Sequence, residues 1–266
     1  MCMVNRKALC HDFHIHTSLS ECCADKDNMV PWKIIDRAHD LGFLSIGFSD
    51  HYWRDGFKMI RRLQNEMRKA TPKLQVLIGC EADVLAEDTI TISRKDINSL
   101  ELDFVILATN HFHLDSVWKP DDLSPRKAAD HWLKFLRIGI QSGIADIIPH
   151  PVLNLHNALG DINRVMDTVE DEEIIEVLEM AKANNVAMDV NPRLFTNPLW
   201  KPEIQIRFYK LCKKVGVKIA PASDAHAIDE IGDTFKLKPW LDEAGFVDED
   251  IIDHTWFNSC RRRNNG

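Results

Sequence analysis

The 266-residue sequence has no uninterrupted apolar run of about 18 residues, the length that a transmembrane helix needs. It has no Pro-, Gly- or Ser-rich linker, no low-complexity segment and no evident internal repeat. Its first residues reach Cys10, His11 and Asp12 without an apolar signal segment. The seven cysteines are odd in number and irregularly spaced, as is typical of reduced thiols. We therefore expect a soluble cytoplasmic protein that makes no membrane contact.

Positive charge is also scarce, because 33 Lys and Arg residues face 41 Asp and Glu residues and the formal net charge is −8. A protein that coats nucleic acid needs a broadly basic surface, so nucleic acid is the less favoured partner, although a local anion pocket stays open. The basic segment from about residue 256 to residue 266 is expected to be a mobile tail. The hydrophobic fraction of 45% is enough for a large core, which excludes disorder and a disulfide-stapled mini-protein.

Short apolar runs alternate with longer amphipathic stretches along the chain. The runs predict strands at residues 8–16, 44–49, 74–81, 104–109, 144–149, 186–190 and 217–220. The amphipathic stretches predict helices at residues 31–41, 57–70, 124–142, 171–184 and 201–215. Uniformly apolar strands that alternate with helices are typical of a parallel sheet covered by helices. About seven such units in a chain of this length predict an α/β fold with one closed or nearly closed barrel domain.

Histidine and carboxylate side chains cluster where the predicted strands end. His14 and His16 lie two positions apart at the end of the first strand, so both imidazoles point to the same side. Five later strand ends carry similar residues: Ser49-Asp50-His51, Gly79-Cys80-Glu81-Ala82-Asp83, Asn110-His111-Phe112-His113, Pro149-His150-Pro151 and Ser223-Asp224-Ala225-His226. The carboxyl ends of barrel strands converge on one face, so these side chains should meet in one pocket. Imidazoles with carboxylates are ligands of zinc, manganese or iron, and we expect a metal site.

In this order the motifs resemble the PHP (polymerase and histidinol phosphatase) family, beginning with Asp12-Phe13-His14-Ile15-His16-Thr17. The resemblance extends from residue 12 to residue 226, which is nearly the whole chain. It implies a single domain with a distorted TIM-like (β/α)7 barrel and two or three divalent metal ions (Zn, Mn or Fe). It also implies hydrolysis of a phosphate ester, which many members of the family catalyse.

The resemblance implies three neighbouring metal positions with shared ligands. The ligands would be His14, His16, Glu81 and Asp224 for the first ion, and Glu81, His111 and His150 for the second. His51 and His226 would hold the third ion with one more ligand, which family members place five or six positions after the second histidine of the His-x-His pair. The candidates there are Glu21 and Cys22. We prefer Glu21, whose oxygen suits a hard cation, whereas the sulfur of Cys22 would suit zinc.

A cationic side chain is expected near the metals, because metal ions neutralise only part of a phosphate group. Asn191-Pro192-Arg193 follows a predicted strand, and phosphatases of the family carry an arginine in this region. We therefore nominate Arg193 for phosphate binding, against the alternative of an ordinary surface arginine. His113 lies two positions beyond His111 and is nominated as a donor to the leaving oxygen, against the alternative of an ordinary loop histidine.

These features favour a metal-dependent hydrolase that uses metal-activated water on a small phosphomonoester. Histidinol phosphate is one candidate, but the sequence does not select it over a nucleotide or sugar phosphate. The alternatives are a nuclease or oligonucleotide phosphoesterase, a non-enzymatic metallated scaffold and a hydrolase of carbon–nitrogen bonds. The sequence leaves the oligomeric state open.

Overall fold

Strands and helices alternate in the computed structural model, which describes residues 3–69, 71–152 and 155–258. The strands are β1 (His11–Ile15), β2 (Ser45–Phe48), β3 (Gln75–Ile78), β4 (Cys80–Ala86), β5 (Thr89–Ile90), β6 (Val105–Ala108), β7 (Ile147–Ile148), β8 (Ala187–Val190) and β9 (Ile219–Pro221). The helices are α1 (Pro31–Leu41), α2 (Gly56–Met67), α3 (Arg94–Leu100), α4 (Pro125–Gln141), α5 (Ile162–Met166), α6 (Asp171–Asn184), α7 (Arg193–Thr196), α8 (Pro202–Val215) and α9 (Lys238–Ala244). The 3-10 helices are Arg6–Leu9, Leu155–Asn157, Ile228–Glu230, Asp233–Leu237 and Asp248–Asp250. The five predicted helices are confirmed, with ends that differ by three residues at most.

The strands form two sheets with the orders β1-β2-β3 and β5-β4-β6-β7-β8-β9. Only β5 pairs antiparallel, with β4, and the other described ladders are parallel. Single parallel bridges join the sheets at two seams, from His51 to Glu81 and from Ile15 to Ala225. The second bridge places β1 beside β9, so the strands surround a common interior. The predicted α/β fold is confirmed, and its TIM-like barrel is distorted because the ladders shrink to one bridge at each seam.

One predicted strand is divided into two at Gly79. A Cβ atom at this position would lie 2.6 Å from the carbonyl oxygen of Phe104, so the close approach of the two backbones requires glycine. Before Gly79, Ile78 pairs with Phe48 of the first sheet. After it, Cys80 pairs with Val105 of the second sheet. This division lets β4 leave the first sheet and carry its carboxylates into the site described below.

Apolar side chains from several strands pack together with side chains from the C-terminal segment. A buried cluster combines Phe13, Leu77, Phe104, Ile106, Ile147, Ala187, Ala220, Ile252 and Phe257. Phe257 lies within the predicted tail, and its ring is 5.0 Å from that of Phe13. The three arginines of that tail lie outside the described residues. No helix in the described part of the chain is long and apolar enough to span a bilayer.

Candidate metal centre

Eight of the nine side chains predicted as metal ligands come together in one cluster. Seven of them lie near or after the carboxyl end of a strand, whereas Glu81 is the second residue of β4. They are His14, His16, His51, Glu81, His111, His150, Asp224 and His226. Two of them have backbone conformations that are rare outside glycine, since φ is +32° at His150 and +55° at Asp224. Such strain collects at functional sites, and here it turns the chain sharply just after β7 and β9. The first strand is irregular too, because its register with β2 shifts between Asp12 and Ile15.

The carboxylate of Glu81 lies at the middle of these side chains and is 1% exposed. Oε2 lies 3.1–3.5 Å from ring nitrogens of three histidines, and Oε1 lies 3.3–3.5 Å from those of two more. The first three are His14, His16 and His51, and the other two are His111 and His150. Burial alone would raise the pKa of Glu81, but the surrounding imidazoles hold it well below its usual range. Glu81 is therefore a carboxylate whose two oxygens face different sets of nitrogen donors, as a bridging ligand requires.

The candidate ligand atoms form four overlapping groups, and within each group they lie within 4.8 Å of one another. The groups are His14-Glu81-His150, His14-His16-Asp224, His51-Glu81-His111 and His16-Cys22-His51-His226. Glu81 and three of the histidines each belong to two groups. The groups therefore form one continuous cluster of candidate ligands rather than four separate clusters.

The rings of four histidines are oriented by hydrogen bonds from Nδ1, which leave Nε2 for a metal ion. The donors and acceptors are His14 to Asp189 Oδ2 at 2.8 Å, His111 to Asp83 Oδ1 at 2.6 Å, His150 to Asn110 Oδ1 at 3.2 Å and His226 to the Asp224 carbonyl oxygen at 2.8 Å. Partners of this kind fix the tautomer and raise the basicity of a ligating imidazole. Neither Asp83 nor Asp189 was assigned a role from the sequence. The available signal was a carboxylate inside an otherwise apolar strand.

Asp83 connects two of the ligand histidines. Besides the His111 ring, its carboxylate accepts a hydrogen bond at 3.0 Å from Nε1 of Trp53. The indole of Trp53 stacks on His51, with ring centroids 4.4 Å apart and an interplanar angle of 8°. Burial would lower the pKa of His111, but Asp83 and then Glu81 outweigh it and raise that pKa to about 9. Asp83 therefore positions His111 directly and His51 through an aromatic ring.

Asp189 connects another pair of ligands. Its carboxylate accepts from the ring of His14 and, at 2.6 Å, from the backbone N–H of His150. The hydroxyl of Tyr209 donates to the backbone carbonyl of Asp189 at 2.6 Å. Because both side-chain oxygens are used, Asp189 holds the ring of one ligand and the strained turn that carries the other.

Buried polar atoms without hydrogen-bond partners test whether metal ions fit this cluster. Within the described residues they include Nε2 of His14, both ring nitrogens of His16, Nδ1 of His51 and Oε1 of Glu81. Leaving such atoms unpaired is costly, and a divalent cation is the partner that their arrangement suits. The nitrogen and carboxylate donors fit zinc, manganese or iron. The residues present therefore fit the predicted metal centre.

The ninth predicted ligand, Glu21, lies outside the cluster, and the alternative residue Cys22 lies within it. Glu21 is exposed and belongs to none of the ligand groups in the described residues. A tight turn explains the difference: Ser20 N–H donates to the Thr17 carbonyl, and Cys23 N–H donates to the Ser20 carbonyl. This turn directs one of two adjacent side chains outward and the next inward. Burial raises the pKa of the Cys22 thiol to about 12, so a cation has to displace its proton.

The cluster is most open on the side of Asp224 and His226, whose side chains are 15% and 22% exposed. Arg193 lies on this side, at the start of α7, with Nη1 3.5 Å from Oδ2 of Asp224. Its Nη2 pairs with Glu230, which also accepts a hydrogen bond from the backbone N–H of His226 at 2.6 Å. Arg193 is therefore fixed by two carboxylates at the open side of the cluster and is not a distant surface arginine.

His113, the other nominated catalytic residue, lies beside His111, with ring centroids 5.3 Å apart. Burial and then the charge of His111 lower its pKa to about 4. It is therefore neutral near pH 7, where it can donate a hydrogen bond but holds no extra proton to transfer.

A model of the PHP domain matches residues 12–193, well over half of the chain. This match ends at Arg193 and does not include Asp224 and His226. A probable phosphatase of Clostridium botulinum (strain Langeland) is 24% identical over 230 residues, which are 83% of this chain and 82% of that protein. A probable phosphatase of Caldicellulosiruptor saccharolyticus is 30% identical over 186 residues, which are 70% and 67% of the two chains.

Two solved structures share the fold. Histidinol phosphate phosphatase from Lactococcus lactis, complexed with zinc, L-histidinol and phosphate, gives a TM-score of 0.54 at 18% identity and covers 89% of this chain and 94% of that one. A chain in the structure of archaeal ribonuclease P with mature tRNA gives a TM-score of 0.53 at 13% identity, with coverage of 95% and 88%. At these identities the likeness is one of fold.

Proposed function

This chain belongs to the PHP domain family, and we propose that it is a metal-dependent phosphatase that hydrolyses a small phosphomonoester. The observation that carries the proposal is the buried Glu81 carboxylate, with ring nitrogens of five histidines around it and several of those nitrogens unpartnered. Probable phosphatases of similar length support the reaction class.

When bound, divalent ions supply Lewis acidity, which acidifies water and draws charge from phosphate oxygens. The chain's own residues do the rest. Glu81 would offer one oxygen to each of two neighbouring cations and so would hold them close together in spite of their repulsion. The carboxylates of Asp83 and Asp189 keep the Nε2 atoms of His111 and His14 directed at those positions. We propose two or three ions, each zinc, manganese or iron.

The open side of the cluster is where we propose that the substrate enters. Arg193 lies there with its guanidinium beside Asp224, within reach of a phosphate group at the same cations. The carboxylates of Asp224 and Glu230 hold the Arg193 guanidinium in place. An arginine held in this way binds phosphate oxygens without losing much side-chain freedom. The net charge of −8 disfavours a long polyanion and favours a small substrate.

The test is release of inorganic phosphate by protein reconstituted with zinc or with manganese. The panel holds histidinol phosphate, nucleotide and sugar monophosphates, and a short 5′-phosphorylated single strand. Turnover confined to small monoesters is the expected result, whereas mononucleotides released from the strand would replace the proposal with a nuclease. Silence across the panel from protein shown to hold its metals would overturn it.

The matched variants are Glu81→Gln, which keeps the shape and removes the charge, and Glu179→Gln at an exposed position on α6. Glu81→Gln should lose bound metal and turnover together, and Glu179→Gln should keep both. Wild-type turnover in folded Glu81→Gln protein would contradict the assignment of the reaction to this site.

A further inference from the structure

Cys22 is the one sulfur among the candidate ligands in the described residues. Its Sγ forms a group with ring nitrogens of His16, His51 and His226, in which each ligand atom lies within 4.8 Å of the others. His16 is completely buried, and neither of its ring nitrogens has a hydrogen-bond partner in the described residues. A cation bound between these three imidazoles and the thiol would give the unpaired ring nitrogens a partner.

The loop that carries Cys22 is held by several hydrogen bonds. Thr17 donates to Asp50 through its backbone N–H and through its hydroxyl, both at 2.6 Å. Asp50 directly precedes His51, so the loop is anchored beside one of the ligands. Ser18 N–H donates to the Met29 carbonyl at 2.7 Å, which closes the far end of the loop. The position of Cys22 is therefore set by the fold.

The neighbouring Cys23 has a different role, which makes it a matched control. Its Sγ donates to the backbone carbonyl of His226 at 3.3 Å, and its side chain is buried away from the ligand groups. The Sγ atom of Cys22 lies 3.2 Å from the hydroxyl of Ser20 and faces the cluster. The Cys23 thiol thus contacts the backbone at His226, whereas the adjacent Cys22 thiol faces the candidate ligands.

We propose that Cys22 ligates the third cation as a thiolate, together with nitrogens of His16, His51 and His226, and that this position selects a thiophilic ion such as zinc over manganese. Thiolates favour zinc-like cations, whereas the positions around Glu81 combine imidazole with carboxylate and accept zinc, manganese or iron. The centre would then contain chemically unequal positions, and manganese alone would leave one of them weakly filled. The inference rests on the metal centre but not on phosphate hydrolysis.

The experiment reads the metal–sulfur bond itself. Metal-free protein is titrated with Co²⁺, and the near-ultraviolet thiolate-to-cobalt charge-transfer band is followed beside the visible bands of cobalt bound to nitrogen and oxygen. Wild type and Cys23→Ser should both develop the near-ultraviolet band. Cys22→Ser should lose it and keep the visible bands. A band that persists in Cys22→Ser, or that wild type never develops at saturating cobalt, would overturn the proposal.

Retention of metal after dialysis provides the second measurement. Zinc-loaded wild type should retain one more equivalent of zinc per chain than Cys22→Ser. Cys22→Asp should regain the missing equivalent with manganese, because it replaces sulfur by oxygen. Equal zinc retention in wild type and Cys22→Ser would contradict the proposal. Circular dichroism of each metal-free variant separates ligand loss from unfolding, and since neither readout uses a substrate, failure of the phosphatase assay would leave this test intact.

Discussion

Replacing Asp83 with asparagine tests whether the residues behind the ligands control metal binding. The Asp83 carboxylate accepts one hydrogen bond from the ring of His111 and another from the indole of Trp53. An asparagine side chain has one acceptor oxygen and one NH₂ group, so it satisfies only one of these two donors. In Asp83→Asn, either His111 or Trp53 therefore faces an N–H group in a site that is fully buried.

The expected losses follow from this geometry. Removing the carboxylate behind a ligating histidine typically lowers metal affinity about 10–100-fold, or about 1.4–2.8 kcal/mol. The loss of metal affinity should be near 100-fold when the amide oxygen accepts from Trp53, and near 10-fold when it still accepts from His111. The buried donor left without an acceptor costs about 1–3 kcal/mol of folding stability in either case.

The assay is competition for zinc against a chelator of known affinity, with urea unfolding of the metal-free proteins in parallel. Trp53→Phe keeps an aromatic ring on His51 but removes the indole donor. When it is combined with Asp83→Asn, the amide oxygen of the new Asn side chain is free to accept from His111. The double variant should therefore bind zinc more tightly than Asp83→Asn alone, a non-additivity that reports the coupling. Asp88→Asn, at an exposed position near β5, should match wild type. Wild-type zinc affinity in folded Asp83→Asn protein would show that Asp83 does not control metal binding through His111.

Three further perturbations test the site. Arg193→Ala should raise KM for the phosphomonoester more than it lowers kcat, because phosphate binding to the ground state is lost; Arg62→Ala on α2 is the control, and unchanged constants would remove Arg193 from the site. Asp224→Asn should abolish turnover while circular dichroism stays that of wild type, and full activity would overturn its assignment. In metal-free protein the pKa of His111 is raised from 6.5 to about 9, so its protonation adds stability that is complete below about pH 6.5 and is lost as the pH rises toward 9. Other titrating groups contribute to the total profile, so the quantity measured is the unfolding free energy of wild type minus that of Asp83→Asn, in urea with EDTA. This difference should fall by roughly 2 kcal/mol between about pH 6.5 and about pH 8.5. A difference that does not change with pH would contradict the raised pKa of His111.

The fold was predictable wherever local signals mark both ends of an element. Pro31 begins α1 and Gly42 follows it with φ of +84°, and the observed helix matches the predicted range. The division of strand 74–81 was not predictable, because it depends on the carbonyl of Phe104, which another strand brings close. The helices α3, α5, α7 and α9 have four to seven residues each, too few for a clear apolar period.

The site was predictable to the extent that it follows from strand ends. Seven of the eight predicted ligands that lie in the cluster are near or after the carboxyl end of a strand, where a parallel barrel collects side chains on one face. Glu81 is the exception, because it is the second residue of β4. The preference for Glu21 over Cys22 could not be decided from the sequence, because the two residues are adjacent and the turn from Thr17 to Cys23 determines which side chain faces the cluster. Asp83 and Asp189 were not assigned because their partners are remote in sequence.

Asp12 connects β1 to the segment that follows β9, because its side chain accepts hydrogen bonds from the backbone N–H groups of His14 and Ser223. Asp12 and Ser223 are 211 residues apart, so the contact closes almost the entire chain into a loop. Contacts of such high sequence separation form late in folding, because their closure entropy is offset only by the structure between them. During synthesis the histidines of β1 thus leave the ribosome long before Asp224 and His226 exist to complete the cluster. The complete cluster therefore exists only once the segment that follows β9 has docked beside β1.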